Sequence, residues 1–382
     1  MLNRREFMMG IAAAAISGAG WAREDDDTIH NILRRRVDVE KRTVGMAVCL
    51  VTPEHKRFVT FGRERLSDNR PVTSETVFEI GSITKVFTAL LLADMVRRDE
   101  VGLDDPVSRH LPSDFKVPLL DGRQITLADL ATHTSGLPRW PLPPSTSPPS
   151  LASIEAMGQF SLEDFKTWLL DLHPETPAGT GGWWYSNAGY ALLGMALAHR
   201  GGRSYEALLQ ERVIDRVGLR DTTFDPTASM SRRLAEGHTA DLKPVPPFKG
   251  GIFAAAGALR STPRDLSRFA AAILPGSMAH IAPDEEFLLT VKRAAPWIGG
   301  AQALGWEVLD APGGAFVNKD GVTLGQAASI VFDPGTRKAV VAFSNAFPDL
   351  KNSTLSGGGV GAADVARHLL RPQIPLGGKG ET

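Results

Sequence analysis

Short apolar runs near the two ends of the chain have the length and composition of β-strands. Val44–Val51 and Arg57–Phe61 are separated by a polar turn, a pattern that predicts a hairpin. After Gly300, four further runs combine β-branched, aromatic and small apolar residues over strand-like lengths. These four predicted strands are Ala303–Leu309, Phe316–Lys319, Ala327–Phe332 and Ala339–Ser344. We therefore expect one sheet to take strands from both ends of the chain.

The middle of the chain carries helical periodicity together with the residues that begin and end helices. Large apolar side chains recur every three or four positions after Thr84, which predicts a buried helix. Ser161 and Thr262-Pro263 are typical of helix starts, and Gly201-Gly202 is typical of a helix end. The predicted helices are Thr84–Arg98, Thr126–Thr132, Ser161–Leu172, Ala188–Arg200, Tyr205–Asp215, Thr262–Leu274 and Gly358–Leu370. The proline-rich stretch Pro138–Pro149 predicts a long loop, either a flap over a substrate or a spacer.

The composition excludes several classes of function. The chain has 382 residues and a formal net charge of -1, and this balance gives no basic stripe, so we expect no nucleic-acid partner. Cys49 is the only cysteine, which excludes an internal disulfide and a thiolate metal site, and its apolar neighbours predict a core position. Neither the His-Glu-x-x-His motif of zinc proteases nor the Gly-x-Ser-x-Gly nucleophile elbow occurs in the sequence.

The first 22 residues have the three parts of an export signal. Arg4 and Arg5 precede an apolar stretch rich in small residues, and Gly20-Trp21-Ala22 is a candidate cleavage site. The arginine pair also resembles a twin-arginine signal. The apolar stretch is shorter than the roughly 20 residues that span a bilayer, and no later stretch is apolar enough to do so. We expect a soluble periplasmic protein in which residues 1–22 are removed, 23–382 form the catalytic domain, and no integral membrane segment remains.

Ser82 and Lys85 stand three positions apart at the start of the predicted helix Thr84–Arg98. Residues with this spacing share one face of a helix, so the lysine nitrogen reaches the serine hydroxyl. A serine hydroxyl becomes an effective nucleophile when a neighbour accepts its proton. The same pattern recurs at Ser113 and Lys116, where flanking prolines and the lack of an apolar helix predict a surface loop. Ser82 is therefore the candidate nucleophile, and Ser113 is a decoy.

Two further segments supply candidates for the rest of a hydrolytic site. A tyrosine whose pKa is lowered by nearby cations can act as a general base, which makes Tyr185 a candidate. Asn187 can donate its amide to a substrate carbonyl and can hold Lys85. The alternative is that Tyr185 only caps the helix that follows it. In Lys319-Asp320-Gly321, after a predicted strand, the lysine would add positive charge and the glycine would permit a close approach.

The motifs Ser-x-x-Lys, Tyr-x-Asn and Lys-x-Gly, in this order, resemble those of the serine β-lactamase and penicillin-recognising enzymes of the class C type. The stretches Leu127–Pro138 and Ala256–Leu266 are also similar to segments of that family. The resemblance covers about Val44 to Leu370, and the proline-rich loop is most similar to the DD-carboxypeptidase/endopeptidase members. It implies an α/β (α+β) fold of the β-lactamase/transpeptidase type, an antiparallel sheet flanked by N- and C-terminal helices. The sheet would come from about 40–80 and 300–372, and an inserted helical subdomain from about 84–299.

The resemblance also implies a role for each residue of the first two motifs. Ser82 is then the acylated nucleophile, and Lys85 and Tyr185 share its proton transfers. Asn187 orients the substrate amide. Lys319, from the third motif, anchors the substrate carboxylate or tunes Tyr185.

The third motif departs from the family pattern at one position. By the resemblance, the backbone N–H groups of Ser82 and Val322 form the oxyanion hole, and Gly321 belongs to the substrate-binding strand. The family usually has Thr or Ser where this chain has Asp320. We expect an ionised Asp320 to pair with Lys319 or to repel a substrate carboxylate, and either effect would weaken the recognition of anionic substrates.

The function implied is that of an exported serine hydrolase that hydrolyses the β-lactam amide through an acyl-Ser82 intermediate. Two alternatives use the same site: a peptidoglycan DD-carboxypeptidase/endopeptidase, and a carboxylesterase of the same fold, which Asp320 slightly favours. A catalytically inactive peptide-binding module is a further hypothesis, and the complete set of Ser82, Lys85 and Tyr185 argues against it. We expect a monomer that acts on a β-lactam or a peptidoglycan peptide without a metal or a cofactor.

Overall fold

The computed structural model of the protein describes residues 26–141, 158–174, 182–277, 287–348 and 361–377. The predicted export signal, most of the proline-rich loop and the first residues of the predicted closing helix lie outside these ranges. Within them, no helix is long and apolar enough to cross a membrane.

A central antiparallel sheet takes strands from both ends of the chain. In chain order, the strands of the described residues are β1 (Gly45–Val51), β2 (Lys56–Gly62), β3 (Phe78–Glu79), β4 (Gly237–His238), β5 (Pro244–Val245), β6 (Arg260–Ser261), β7 (Lys292–Ala295), β8 (Gly300–Ala303), β9 (Glu307–Leu309), β10 (Phe316–Val322), β11 (Ala327–Asp333) and β12 (Lys338–Ser344). Eight of them form the sheet in the order β2-β1-β12-β11-β10-β9-β8-β7. The remaining four pair as β3 with β6 and β4 with β5. The predicted antiparallel sheet is confirmed.

The first apolar run is unbroken because β1 is buried on both faces. It lies between β2 and β12 and pairs with each along its length. Successive side chains of a strand point to opposite faces. Val48 and Leu50 accordingly enter the core beneath the terminal helices, while Ala47 and Cys49 enter the larger core on the other face. The predicted core position of Cys49 is confirmed.

Helices cover both faces of the sheet. In chain order, the α-helices of the described residues are α1 (Asp26–Arg34), α2 (Thr84–Arg97), α3 (Leu127–Ala131), α4 (Leu162–Leu170), α5 (Asn187–Gly201), α6 (Tyr205–Leu209), α7 (Asp215–Val217), α8 (Ala228–Arg232), α9 (Ala254–Gly257), α10 (Pro263–Ile273) and α11 (Ala362–Leu370). On one face, α1 packs on β2, and α11 packs on β11 and β12. On the other, α10 contacts β1 and β12, and the central helices build the larger core around α2.

Most helix boundaries follow the capping residues in the sequence. The side chains of Thr126, Ser161 and Thr262 each accept a backbone N–H from the third residue of the following helix. Gly202, with φ of 65°, ends α5 in the left-handed conformation that glycine adopts easily.

Two predicted elements are wrong in detail. The predicted strand Ala303–Leu309 is two strands, β8 and β9, joined by a turn at Gly305, whose φ is +76°. The predicted helix Tyr205–Asp215 is interrupted by the π-helical turn Gln210–Ile214 before it ends at Gly218. In both cases the apolar spacing alone did not locate a local change of backbone geometry.

Candidate active site

Ser82 lies in the 3₁₀ turn Gly81–Ile83 that leads into α2, and Lys85 follows it in the first turn of that helix. Lys85 is fully buried, and its Nζ donates to Ser82 Oγ at 3.0 Å, to Asn187 Oδ1 at 2.7 Å and to the Ala256 carbonyl at 2.5 Å. Burial disfavours the charged amine and lowers the pKa of Lys85 to about 8. Near that pH, a large fraction of Lys85 is neutral and able to accept a proton from Ser82.

Tyr185 reaches the same hydroxyl from the segment before α5. Its Oη donates to Ser82 Oγ at 2.7 Å. Lys85 Nζ, Arg139 Cζ and Lys319 Nζ lie 5.0, 5.0 and 5.3 Å from the centre of its ring. Burial raises the pKa of Tyr185, but the three cations together outweigh burial and lower it to about 8. Tyr185 and Lys85 therefore titrate in one pH range, as a coupled pair.

Ser186, rather than Tyr185, caps helix α5. Ser186 Oγ accepts the N–H of Gly189 at 2.7 Å and donates to the Pro138 carbonyl at 2.9 Å. The Tyr185 hydroxyl is thereby left to contact Ser82. The alternative in which Tyr185 only caps the helix is wrong.

Strand β10 passes so close to the 3₁₀ turn Gly81–Ile83 that both the strand and the turn need a glycine at the point of contact. A Cβ atom on Gly321 would lie 1.8 Å from the Ile80 carbonyl oxygen and 3.0 Å from the Ser82 nitrogen. A Cβ atom on Gly81, where φ is +48°, would lie 2.6 Å from the Val322 nitrogen. The absence of both side chains brings the backbone around Val322 beside the backbone around Ser82.

Lys319 is buried beneath Tyr185 and has a carboxylate partner. Its side chain is only 1% exposed, and its Nζ donates to Glu307 Oε1 at 3.0 Å. Burial alone would lower the pKa of Lys319, but Glu307 and Tyr185 raise it above its ordinary value. Lys319 is therefore a fixed positive charge at neutral pH.

Asp320 points away from Lys319, so the expected pairing of the two is wrong. Neighbouring residues of a strand face opposite sides of the sheet. The Asp320 carboxylate accepts hydrogen bonds from the Arg367 guanidinium on α11 and from Ser329 Oγ, the latter at 2.7 Å. Arg367 is 1% exposed, so this is a buried ion pair. Because Arg367 neutralises Asp320 on the far face, the expected repulsion of a substrate carboxylate loses its basis.

His133 packs against the ring of Tyr185, with 4.3 Å between the ring centres. Its Nδ1 accepts the N–H of Ser186 at 3.1 Å, and its backbone carbonyl accepts the N–H of Trp184 at 2.7 Å. Burial, and then the charges of Lys319 and Lys85, hold the pKa of His133 well below its ordinary value. His133 is therefore neutral, and the proton is assigned to Nε2 because Nδ1 is an acceptor. His133 therefore has a structural role, since it holds the backbone of Ser186 through this hydrogen bond.

The sequence profile of the β-lactamase family matches residues 26–356. The chain belongs to the β-lactamase family. The resemblance read from the three motifs is thus confirmed at the level of the family.

Two proteins of known name are 27 to 30% identical to this chain over the residues that align. AmpH of Escherichia coli strain K12, a D-alanyl-D-alanine-carboxypeptidase/endopeptidase, is 30% identical over 226 residues, which are 59% of this chain and 56% of AmpH. This match therefore spans little more than half of AmpH. A β-lactamase of the same strain is 27% identical over 320 residues, 82% of this chain and 78% of that protein.

A solved structure supports the fold independently. The crystal structure of a class C β-lactamase from Rhodobacter sphaeroides superposes with a TM-score of 0.71 at 25% identity. The superposition covers 84% of this chain and 94% of that one. The chain therefore has the mixed α/β fold of the class C β-lactamases, as the sequence predicted.

The structure brings together every predicted site residue of this β-lactamase family member except Asp320. It also adds three residues that the sequence analysis missed: Arg139 beside Tyr185, Glu307 on Lys319, and Arg367 on Asp320. A signal was available only for Arg139, which directly follows the family-like stretch Leu127–Pro138.

The second Ser-x-x-Lys pattern, at Ser113, lies at the surface of the protein. Ser113 and Lys116 are both exposed, as predicted, and Lys116 Nζ donates to the backbone carbonyl of Ser113, at 3.5 Å, rather than to its hydroxyl. In the part of the chain that the structure describes, no group of three or more His, Cys, Asp or Glu residues is arranged to hold a metal ion.

Restoring the family residue with Asp320→Thr should destabilise the protein by about 3 to 5 kcal/mol. The substitution leaves the buried Arg367 without this carboxylate, and breaking a buried ion pair on one side has an effect of that size. The free energy of unfolding in urea measures it. The double variant Asp320→Thr/Arg367→Met should recover most of the loss, because a buried ion pair replaced on both sides by uncharged groups is often neutral. An unchanged unfolding midpoint for the single variant would contradict the buried ion pair between Asp320 and Arg367.

Proposed function

We propose that this β-lactamase family member is an exported, monomeric serine hydrolase that opens the β-lactam amide through an acyl intermediate on Ser82. The observation that carries the proposal is the pair of contacts at Ser82 Oγ. Lys85 Nζ lies 3.0 Å from it and Tyr185 Oη lies 2.7 Å from it. The signal-like residues 1–22 support export to the periplasm.

In the acylation step, Ser82 Oγ attacks the lactam carbonyl carbon while its proton passes to the coupled pair of Lys85 and Tyr185. The carbon–nitrogen bond then breaks, and the departing nitrogen takes that proton from the pair. In deacylation, water attacks the ester carbonyl and gives a proton to the pair, which returns it to Ser82 Oγ. The pair ends each cycle with the protons it began with. A pKa of about 8 for each member makes both directions of transfer accessible near neutral pH.

The other site residues position the reacting groups. The backbone around Val322 lies beside the backbone around Ser82, and the N–H groups of these two residues would donate to the oxyanion that forms at the attacked carbonyl. Asn187 holds Lys85 through its Oδ1, which leaves its amide nitrogen for the substrate. Lys319 is buried against Glu307, an arrangement that favours tuning of Tyr185 over direct binding of a substrate carboxylate.

A peptidoglycan DD-carboxypeptidase/endopeptidase is the second candidate. It is favoured by the similarity to AmpH, whose name states that activity. The acylation chemistry would be the same, with a D-Ala-D-Ala amide in place of the lactam. The carboxylesterase alternative rested on repulsion by Asp320, and the pairing of Asp320 with Arg367 removes that support.

Mass spectrometry of the protein after exposure to β-lactams tests the proposal. We expect a penicillin, a cephalosporin or a carbapenem to add its mass to the peptide that contains Ser82, and the adduct to decay as water attacks. The peptide that contains Ser113 is the internal control and should keep its mass. Decay within seconds would indicate a β-lactamase, whereas a long-lived adduct with release of D-Ala from a D-Ala-D-Ala peptide would indicate the peptidase. Failure of every lactam and of the peptide to modify Ser82 would overturn the proposal.

A further inference from the structure

Arg139 is held beside Tyr185 by both its backbone and its side chain. Its carbonyl accepts the N–H of Asn187 at 3.0 Å, which ties it to the second motif. Its guanidinium carbon lies 5.0 Å from the centre of the Tyr185 ring, and the Tyr185 hydroxyl contacts Ser82. The arginine side chain is nevertheless exposed to solvent. The guanidinium and Ser82 are therefore both in contact with Tyr185, so a substrate whose carbonyl lies at Ser82 would have another part near the guanidinium.

The other two cations near Tyr185, Lys85 and Lys319, already bind groups of the protein. Lys85 is fully buried and donates to three oxygen atoms. Lys319 is buried and bonded to Glu307. Among the described residues, no acidic side chain lies within ion-pair distance of Arg139, so its charge faces solvent rather than a carboxylate of the protein.

The geometry of an arginine suits this position. A guanidinium that lies over an aromatic ring uses its flat face for that contact, and the N–H groups at its edge stay available. Those N–H groups match a carboxylate with two parallel hydrogen bonds. A lysine in the same place would offer only a point charge.

We propose that Arg139 is a substrate-binding residue that holds the carboxylate of an anionic acyl substrate while its carbonyl is attacked by Ser82. The proposal rests on the proposed function, because it presupposes acylation at Ser82. It assigns recognition of the anion to Arg139 and not to the third motif, where Lys319 and Asp320 are both paired within the protein. The carboxylate can belong to a lactam or to the C-terminus of a peptide, since the recognising chemistry is the same.

The test compares each anionic substrate with its neutral twin. Steady-state kinetics are measured on a penicillin and its methyl ester, and on a D-Ala-D-Ala peptide and its C-terminal amide. The comparison uses whichever of the two pairs the enzyme hydrolyses. In that pair, Arg139→Gln should raise KM for the anionic substrate by about tenfold or more, the size expected for a lost charge-assisted hydrogen bond. KM for the neutral twin should change less than twofold. Arg139→Lys should recover part of the loss, and high salt should weaken the preference of the wild type for the anion.

The ratio of the two KM values separates binding from other effects of Arg139. A change in the pKa of Tyr185 would alter the turnover of both twins alike and would leave that ratio unchanged. Arg109→Gln, which removes an exposed arginine on the turn Val107–His110, is the control and should have no effect on the ratio. An unchanged ratio in Arg139→Gln would overturn the assignment. If the wild type does not become acylated by either twin, the proposed function fails, and that result is distinct from a failure of Arg139.

Discussion

Ser82→Ala should reduce the hydrolysis of every acyl substrate by about four orders of magnitude or more while leaving the fold intact. Loss of a catalytic nucleophile has effects of that size, because the neighbouring groups cannot form the covalent intermediate without it. The fold should survive because Ser82 is half-buried and Lys85 keeps its bonds to Asn187 and Ala256. The measurement is kcat/KM on a β-lactam and on an uncharged ester, together with the thermal unfolding midpoint.

Ser113→Ala is the matched control for this prediction. Ser113 heads the same four-residue pattern, with Lys116 three positions later, but both residues are exposed. Its substitution should leave kcat/KM within about twofold of the wild type, as is usual for an exposed serine away from a site. Near-normal hydrolysis by Ser82→Ala, or a large loss in Ser113→Ala, would contradict the assignment of the nucleophile.

Tyr185→Phe should lower kcat/KM by about a hundredfold or more, the contribution of a positioned general acid or base. The substitution removes one oxygen and keeps the ring that packs on His133, so packing is preserved. Only the hydrogen bond to Ser82 and the proton-carrying group are lost. The residual activity would then depend on Lys85 alone.

The pH dependence provides a second measurement on the same variant. In the wild type, kcat/KM should rise through about pH 8, because the coupled pair must release a proton before it can accept one from Ser82. The ionised Tyr185 raises the pKa of Lys85. In Tyr185→Phe, the pH profile of the remaining kcat/KM should therefore shift to lower pH. Tyr205→Phe removes a tyrosine hydroxyl that bonds Thr88, and it should leave the profile unchanged. Equal activity of Tyr185→Phe and the wild type would leave Lys85 as the sole base.

Local sequence signals were sufficient for the elements and for the nucleophile pair. The unbroken apolar run of β1 was readable because a strand buried on both faces has no polar alternation. The starts of α3, α4 and α10 were readable because a Thr or Ser cap acts on a residue only three positions away. Ser82 and Lys85 were readable for the same reason, since their spacing is a property of the helix that carries them.

Residue chemistry made Tyr185 and Lys319 candidates, but only the resemblance to a family placed them in one site with Ser82, because their contacts bridge distant parts of the chain. Ser82 and Tyr185 are 103 positions apart, and no local periodicity reports that they meet. The direction of their pKa shifts was equally out of reach, because it depends on which charges surround them. Three cations around one ring lower the pKa of Tyr185, and they come from three separate segments.

The sequence by itself therefore determined most of the long strands and helices, and which serine lies one helical turn from a lysine. The tertiary structure alone decided what each charged side chain faces. Asp320 is the clearest case, because it follows Lys319 in the sequence but lies on the opposite face of β10 and pairs with Arg367 from α11. The direction of a strand side chain acquires meaning only when the elements that cover each face are known. That information lies in contacts between distant residues, and a single sequence carries no local pattern from which to read it.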